Sequence, residues 1–155
     1  MLKIVPAAKE DLQHIQDLFK EYAESLSFDL SFQDFEHEFS ELPGGYALPE
    51  GRLLIAKYGS KVAGCVALRK IDKATCEMKR LFVRKGFRGK KIGKSLAESI
   101  VEEARQIGYL RMRLDTTPEM QNAIRLYQTL GFETIEPYRV NPVKGATFME
   151  LNLEK

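Results

Sequence analysis

Three strand-like segments in close succession constrain this chain more than any other feature. Arg52 to Tyr58 and Lys61 to Arg69 are rich in apolar and β-branched residues, and only Gly59-Ser60 separates them. A two-residue connection can join antiparallel strands but not parallel ones. Ile71 to Ala74 is a second short turn, and Thr75 to Val83 reads as the third strand. Such a meander has to be covered, and the next residues supply a cover. Ile92, Leu96, Ala97, Ile100, Val101, Ala104 and Ile107 fall on one face of a long amphipathic helix that stops near Gly108. Tyr109 to Thr116 then alternates as a strand. Thr117 is placed to cap a further helix with Pro118 at its first position, and Ala123, Ile124, Tyr127 and Leu130 form its buried stripe before Gly131. Glu133 to Glu136 and Thr147 to Leu153 read as two last strands.

Upstream, Leu2 to Pro6 reads as a first strand and Leu12, Ile15, Leu18, Phe19 and Tyr22 as the stripe of a first helix. Phe32, Phe35 and Phe39 mark a second, shorter helix, and Leu42 to Gly51 a loop. Hairpins beside strand–helix–strand crossovers predict an α/β (α+β) fold. The sheet is mixed and mostly antiparallel, with about seven strands flanked by about four helices. At 155 residues the expectation is a single domain spanning residues 1–155. Two cysteines, Cys65 and Cys76, are too few for a disulfide scaffold. The longest apolar run, Val62 to Leu68, is seven residues, well short of the roughly 20 needed to span a bilayer. The N-terminus carries no signal-like run, so the expectation is a soluble cytoplasmic protein with reduced thiols and no membrane partner.

The net charge of +2 hides an uneven distribution. Eight basic residues and no acidic one fall between Lys79 and Ser95; outside that stretch sixteen positive residues face 22 negative ones. A local cationic focus on an acidic body suits a compact anion better than a nucleic-acid groove, which needs a wider basic face. The segment Arg84-Lys85-Gly86-Phe87-Arg88-Gly89-Lys90-Lys91-Ile92-Gly93-Lys94-Ser95 follows a strand and opens a helix. Backbone N–H groups at a helix start lack intrahelical partners, and the dipole makes that end positive. Lys90, Lys91 and Lys94 crowd this end while Glu98, Glu102 and Glu103 come later, an order the dipole disfavours unless an anion binds there. Gly89 to Ser95 is one residue short of a Walker A loop, so a phosphate-loop nucleotide binder is one alternative. A plain solvated charged surface is another.

The run from Arg88 to Gly93 resembles the acetyl-CoA pyrophosphate loop of the GNAT superfamily of N-acetyltransferases, which reads Arg or Gln, two residues, Gly, one residue, then Gly or Ala. Lys91 stands where the middle glycine is usual, a departure that implies an altered loop path or weaker cofactor binding. The preceding strand Cys76-Glu77-Met78-Lys79-Arg80-Leu81-Phe82-Val83 and the later Asn122 to Phe132, with its Tyr127 and Gly131-Phe132, match the same family.

The resemblance implies an enzyme that transfers an acetyl group directly from acetyl-CoA, as co-substrate, to a primary amine of a small molecule or peptide. It implies that Arg88, Gly89, Lys90, Lys91, Ile92, Gly93 and Lys94 hold the diphosphate. Leu81, Phe82 and Val83 would pair with the pantetheine arm through backbone groups, and Asn122 through its side chain. Glu77 is the candidate general base, directly or through water; the alternative is a strand glutamate paired across the sheet with a lysine or arginine. Tyr127 is the implied acid toward the departing sulfur; the alternative is a core tyrosine. Arg80, Asp115, Tyr138 and Asn141 are candidates for the acceptor pocket from their place near strand ends and in a late loop. No His/Cys cluster has metal-ligand spacing, so no metal is expected. A homodimer is a family-level expectation, and a non-catalytic acyl-CoA-binding module is the remaining alternative.

Overall fold

The computed structural model describes residues 2–25, 40–116, 121–138, 141 and 145–154, except the side chains of Gln121 and Asn122. Among the described residues, seven strands form one sheet in the order β1-β2-β3-β4-β5-β7-β6. They are β1 (Leu2–Pro6), β2 (Arg52–Tyr58), β3 (Lys61–Lys70), β4 (Thr75–Val83), β5 (Arg111–Thr116), β6 (Glu133–Ile135) and β7 (Thr147–Asn152). All neighbours pair antiparallel except β4 and β5. Three α-helices are described: α1 (Leu12–Glu24), α2 (Ile92–Ile107) and α3 (Gln121–Thr129). The expected second helix around Phe32, Phe35 and Phe39 lies outside the described residues, as do Thr117 and Pro118. The mixed, mostly antiparallel class is therefore the one observed, with three described helices against about four expected.

The meander has its predicted limits to within a residue. β5 starts later than the alternation implies. Tyr109 N–H donates to Ala104 O beyond the end of α2, and its hydroxyl donates to Glu50 O at 2.7 Å, which draws Tyr109 away from the sheet. Gly108 ends α2 at φ +110°, where a side chain would be strained.

Period-two alternation divides the core between the two faces of the sheet. Leu54, Ala56, Val66, Leu68, Met112, Leu114 and Met149 pack beneath α2 and α3. Leu53, Ile55, Cys65 and Ala67 pack against Ile15, Leu18 and Phe19 of α1. The alternation slips once, in β4. Cys76 and Met78 belong to the α2 face, yet so do Leu81 and Val83, while Phe82 turns to α1. Cys65 pairs with Phe82 but Ala67 with Lys79, so β4 carries one extra residue there, a β-bulge. Arg80 takes the strain at φ +60°, a left-handed conformation that costs a non-glycine residue about 1–2 kcal/mol.

Beside the bulge, Gly64 lets β3 approach β4 closely. A Cβ there would lie 2.4 Å from Phe82 O and 3.2 Å from Val83 Cα. The end of β4 is tied to α1 by Arg84, whose guanidinium donates twice to the Glu21 carboxylate, at 2.9 and 2.8 Å, and once to Val62 O.

Candidate active site

β4 and β5 pair only through Thr75–Arg111, Cys76–Met112 and Glu77–Arg113. Beyond Glu77 and Arg113 no further pairing joins them among the described residues, and a cavity of about 580 Å³ occupies the gap. Met78 to Val83 line one side of it and Leu114 to Thr116 the other. Ala123, Leu126 and Tyr127 of α3 face it, and the turn into α2 lies at the Val83 end. A strand edge that borders a gap has no ladder strand on that side, which suits an extended ligand bearing amides.

The loop into α2 has the conformation its sequence makes costly. Lys91 is the N-cap residue at φ +63°, and Gly89 lies at φ +84°. The residue that replaces the usual middle glycine therefore adopts the left-handed backbone that glycine normally supplies, so the loop path does not depend on glycine here. Arg88, Gly89, Lys91, Ile92 and Gly93 all line the cavity. Arg88 Nε donates to Val83 O at 2.9 Å, and its guanidinium lies over the Phe82 ring at 5.8 Å. Lys90 and Lys94 do not line the cavity; the Lys90 ammonium lies 5.5 Å over the ring of Tyr58. The N–H groups of the first turn of α2, with Arg88 and Lys91 beside them, suit the two charges of a diphosphate.

Tyr127 is 7% exposed, its ring 5.7 Å from that of Phe132. Burial, with Tyr22 and Asp115 nearby, holds its phenol well above the ordinary value. The group is therefore protonated at neutral pH and can act as a hydrogen-bond donor. Thr116 Oγ1, at the same cavity wall, is buried and has no hydrogen-bond partner among the described residues.

Glu77 is fully buried and does not line the cavity. Its carboxylate accepts from Arg69 Nε at 2.8 Å and from the Tyr138 hydroxyl at 2.7 Å. The cross-strand pairing that sequence offered as the alternative for Glu77 is thus present. Burial also raises the pKa of Tyr138, with Asp115 adding to the effect and Arg113 and Arg69 opposing it. Asn141 Nδ2 donates to Asp115 Oδ2 at 3.0 Å, so the structure joins two acceptor-pocket candidates, and joins Tyr138 to Glu77. Arg80 and Asp115 line the cavity on opposite strands, while Tyr138 and Asn141 stand behind them. The side chain of Asn122 is not described, though its backbone lies in the first turn of α3. Both cysteines are buried, and desolvation pushes the Cys65 and Cys76 thiols up to about 12, which suits structural residues rather than nucleophiles.

Sequence reasoning missed Met78, Leu114 and Thr116 in the cavity wall, and Tyr22 on α1. The step from Met78 to Leu81, two α2-face residues three apart on one strand, was the available sign of the bulge. The described residues contain no helix long and apolar enough to cross a membrane.

The sheet is thus split at the parallel β4–β5 pair, with a basic helix start at the open end of the gap and a buried phenol along its side. The chain belongs to the acetyltransferase (GNAT) family, whose model matches residues 12–132. It is 34% identical to an uncharacterised N-acetyltransferase of Dictyostelium discoideum, across 99% of this chain and 100% of the relative. It is 37% identical to another from Schizosaccharomyces pombe, across 94% of this chain and 91% of that one. A GNAT-family acetyltransferase from Staphylococcus aureus shares the fold with a TM-score of 0.83 at 19% identity, covering 99% and 100% of the two chains. The PaiA N-acetyltransferase of Thermoplasma acidophilum, solved with coenzyme A, does so at 0.75 and 18%, covering 98% and 99%. The protein is an acetyl-CoA-dependent N-acetyltransferase, which sets aside the nucleotide-loop alternative.

Proposed function

We propose that the acetyl group passes in one direct step from acetyl-CoA to a primary amine that enters from the α1 face of the gap. One observation carries this reading: the gap between β4 and β5 runs from the anion-binding start of α2 to the buried phenol of Tyr127. Acetyl-CoA supplies the thioester carbonyl. The first turn of α2, with Arg88 and Lys91, anchors its diphosphate, and Leu81, Phe82 and Val83 offer backbone groups to the arm. Orientation of this kind contributes much of the acceleration in two-substrate reactions.

The amine nitrogen bonds to the carbonyl carbon, the carbon–sulfur bond breaks and the nitrogen sheds one proton to solvent; to free its lone pair for that attack, the ammonium first gives up another proton. Glu77 takes that proton through water, because its carboxylate lies behind the junction of β4 and β5 rather than in the cavity wall. Asp115, held by Asn141, and Arg80 flank the acceptor, with Tyr138 fixing the Glu77 carboxylate. Tyr127 donates a hydrogen bond to the departing sulfur. A thiol titrates near 8.5 and the phenol above 10, so full proton transfer would be uphill by more than about 2 kcal/mol. The thiolate then takes its proton from solvent.

Acetyl-CoA at about 100 times its Kd should raise Tm by about 5–10 °C, and ATP should not. Thiol release should follow with members of an amine panel. A shift with ATP but not acetyl-CoA refutes the site, and binding without thiol release from any amine favours a non-catalytic acyl-CoA module.

A further inference from the structure

The gap between β4 and β5 has a closed end, and the apolar strand residues nearest that end are two with no assigned part in the reaction. Backbone pairing closes the path at Glu77 and Arg113, where neighbouring strands lie about 4.8 Å apart. Met78 and Leu114 are the next residue on each strand, the first pair after the strands separate. Both line the cavity, both belong to the core beneath α2 and α3, and they are 4% and 2% exposed. Lys79, Arg80 and Asp115, also in the wall, are charged and give an alkyl chain no apolar path on their side.

We infer that Met78 and Leu114 are the stop that restricts the donor to short acyl groups. The inference rests on the acetyl-transfer reading of this cavity. With the diphosphate at the start of α2 beside Val83, the arm runs back along β4 toward Met78. That is five residues at about 3.3 Å each, roughly 17 Å. The acyl carbons come last and meet the closed end. The carbonyl has to stay beside Tyr127, so a longer chain cannot retreat. Each added methylene must displace the Met78 or Leu114 side chain, which lie in a close-packed core. A methylene too many in a fitted apolar pocket costs about tenfold or more, so butyryl-CoA, with two, should be disfavoured about a hundredfold against acetyl-CoA.

The test is calorimetric titration of the full chain with free CoA, acetyl-CoA and butyryl-CoA, which needs no knowledge of the acceptor. The wild type should bind acetyl-CoA about a hundredfold tighter than butyryl-CoA. Met78→Ala should bring the two within about threefold while leaving free CoA unchanged. Met78→Val and Leu114→Val remove less volume and should each narrow the ratio at least fivefold; unchanged affinity for free CoA certifies that each variant is folded. A butyryl-to-acetyl ratio that stays constant across these variants, with free CoA still bound, overturns the inference alone. Failure of the wild type to bind free CoA overturns the acetyl-transfer reading beneath it, and the inference with it.

Discussion

Replacing Tyr127 with Phe removes one oxygen and keeps the ring. The ring is buried beside Phe132 and the hydroxyl makes no hydrogen bond to any described residue, so packing gives no reason for a loss of stability. A change of less than about 0.5 kcal/mol is expected, a Tm shift within about 2 °C. The rate should respond differently. The hydroxyl is assigned to the sulfur as negative charge builds on it, and a hydrogen bond to a charged group contributes about 1.5–3 kcal/mol. At about 1.4 kcal/mol per factor of ten, kcat should fall roughly 10- to 150-fold. KM for acetyl-CoA should move by less than about threefold, because the ground-state thioester carries no such charge. The assay is thiol release with a saturating acceptor from pH 6 to 10. Burial holds the phenol protonated above its ordinary value, so its donor function persists across that range and is lost only as pH passes the raised pKa. A kcat within threefold of wild type, or a fall matched by an equal loss of stability, would refute the assigned role.

Lys91→Gly should relieve a left-handed strain of about 1–2 kcal/mol and add about 0.5–1 kcal/mol of chain entropy, raising Tm by a degree or two, while Lys91→Val lowers it; thermal melts that rank the two alike would contradict the loop conformation. Glu77→Gln should cut kcat/KM about 100-fold at pH 7 and recover roughly tenfold per pH unit toward the pKa of the amine, so a pH–rate profile parallel to wild type would leave Glu77 a purely structural partner of Arg69. Gly64→Ala puts a Cβ 2.4 Å from Phe82 O, and chemical denaturation should show a loss of about 2–3 kcal/mol; an unchanged midpoint would exclude so close an approach of β3 and β4. Asp11 accepts from Ala8 N–H at 2.9 Å and faces Lys57, and that backbone hydrogen bond, with smaller help from Lys57, holds its carboxyl below the ordinary aspartate range. Its stabilisation, about 1 kcal/mol, is present at neutral pH and lost as pH falls through the lowered value. Asp11→Ala should remove that acid-limb contribution, and unfolding curves of equal pH dependence would contradict it.

The elements were legible because their causes are local. Gly59-Ser60 fixes one hairpin, the Ile92-to-Ile107 stripe fixes α2, and the basic start of α2 exposes the anion site through its conflict with the helix dipole. The cavity wall was harder to read, since it depends on where pairing stops. Nothing in Glu77-Met78 or Arg113-Leu114 announces that β4 and β5 separate there; that depends on how far two distant segments pair, which no local pattern encodes. The role of Glu77 was ambiguous for a related reason, because a buried carboxylate beside an arginine looks the same in one dimension whether it supports a strand or takes a proton. The eight-residue basic cluster proved to be divided in use. Arg84 clasps α1, Lys79 and Arg80 are buried on β4, and only the later members stand at the helix start.

Only three residue pairs join β4 to β5 among the described residues, so past them the facing edges of the two strands are not paired with each other. A pantetheine arm has amides spaced along its length, so when it lies in that opening it serves as a guest strand that completes the ladder. Its arrival should therefore slow amide hydrogen exchange in residues 78–83 and 114–116 well beyond the atoms it touches. Its departure as free thiol returns the seam to a form that the next donor can knit together.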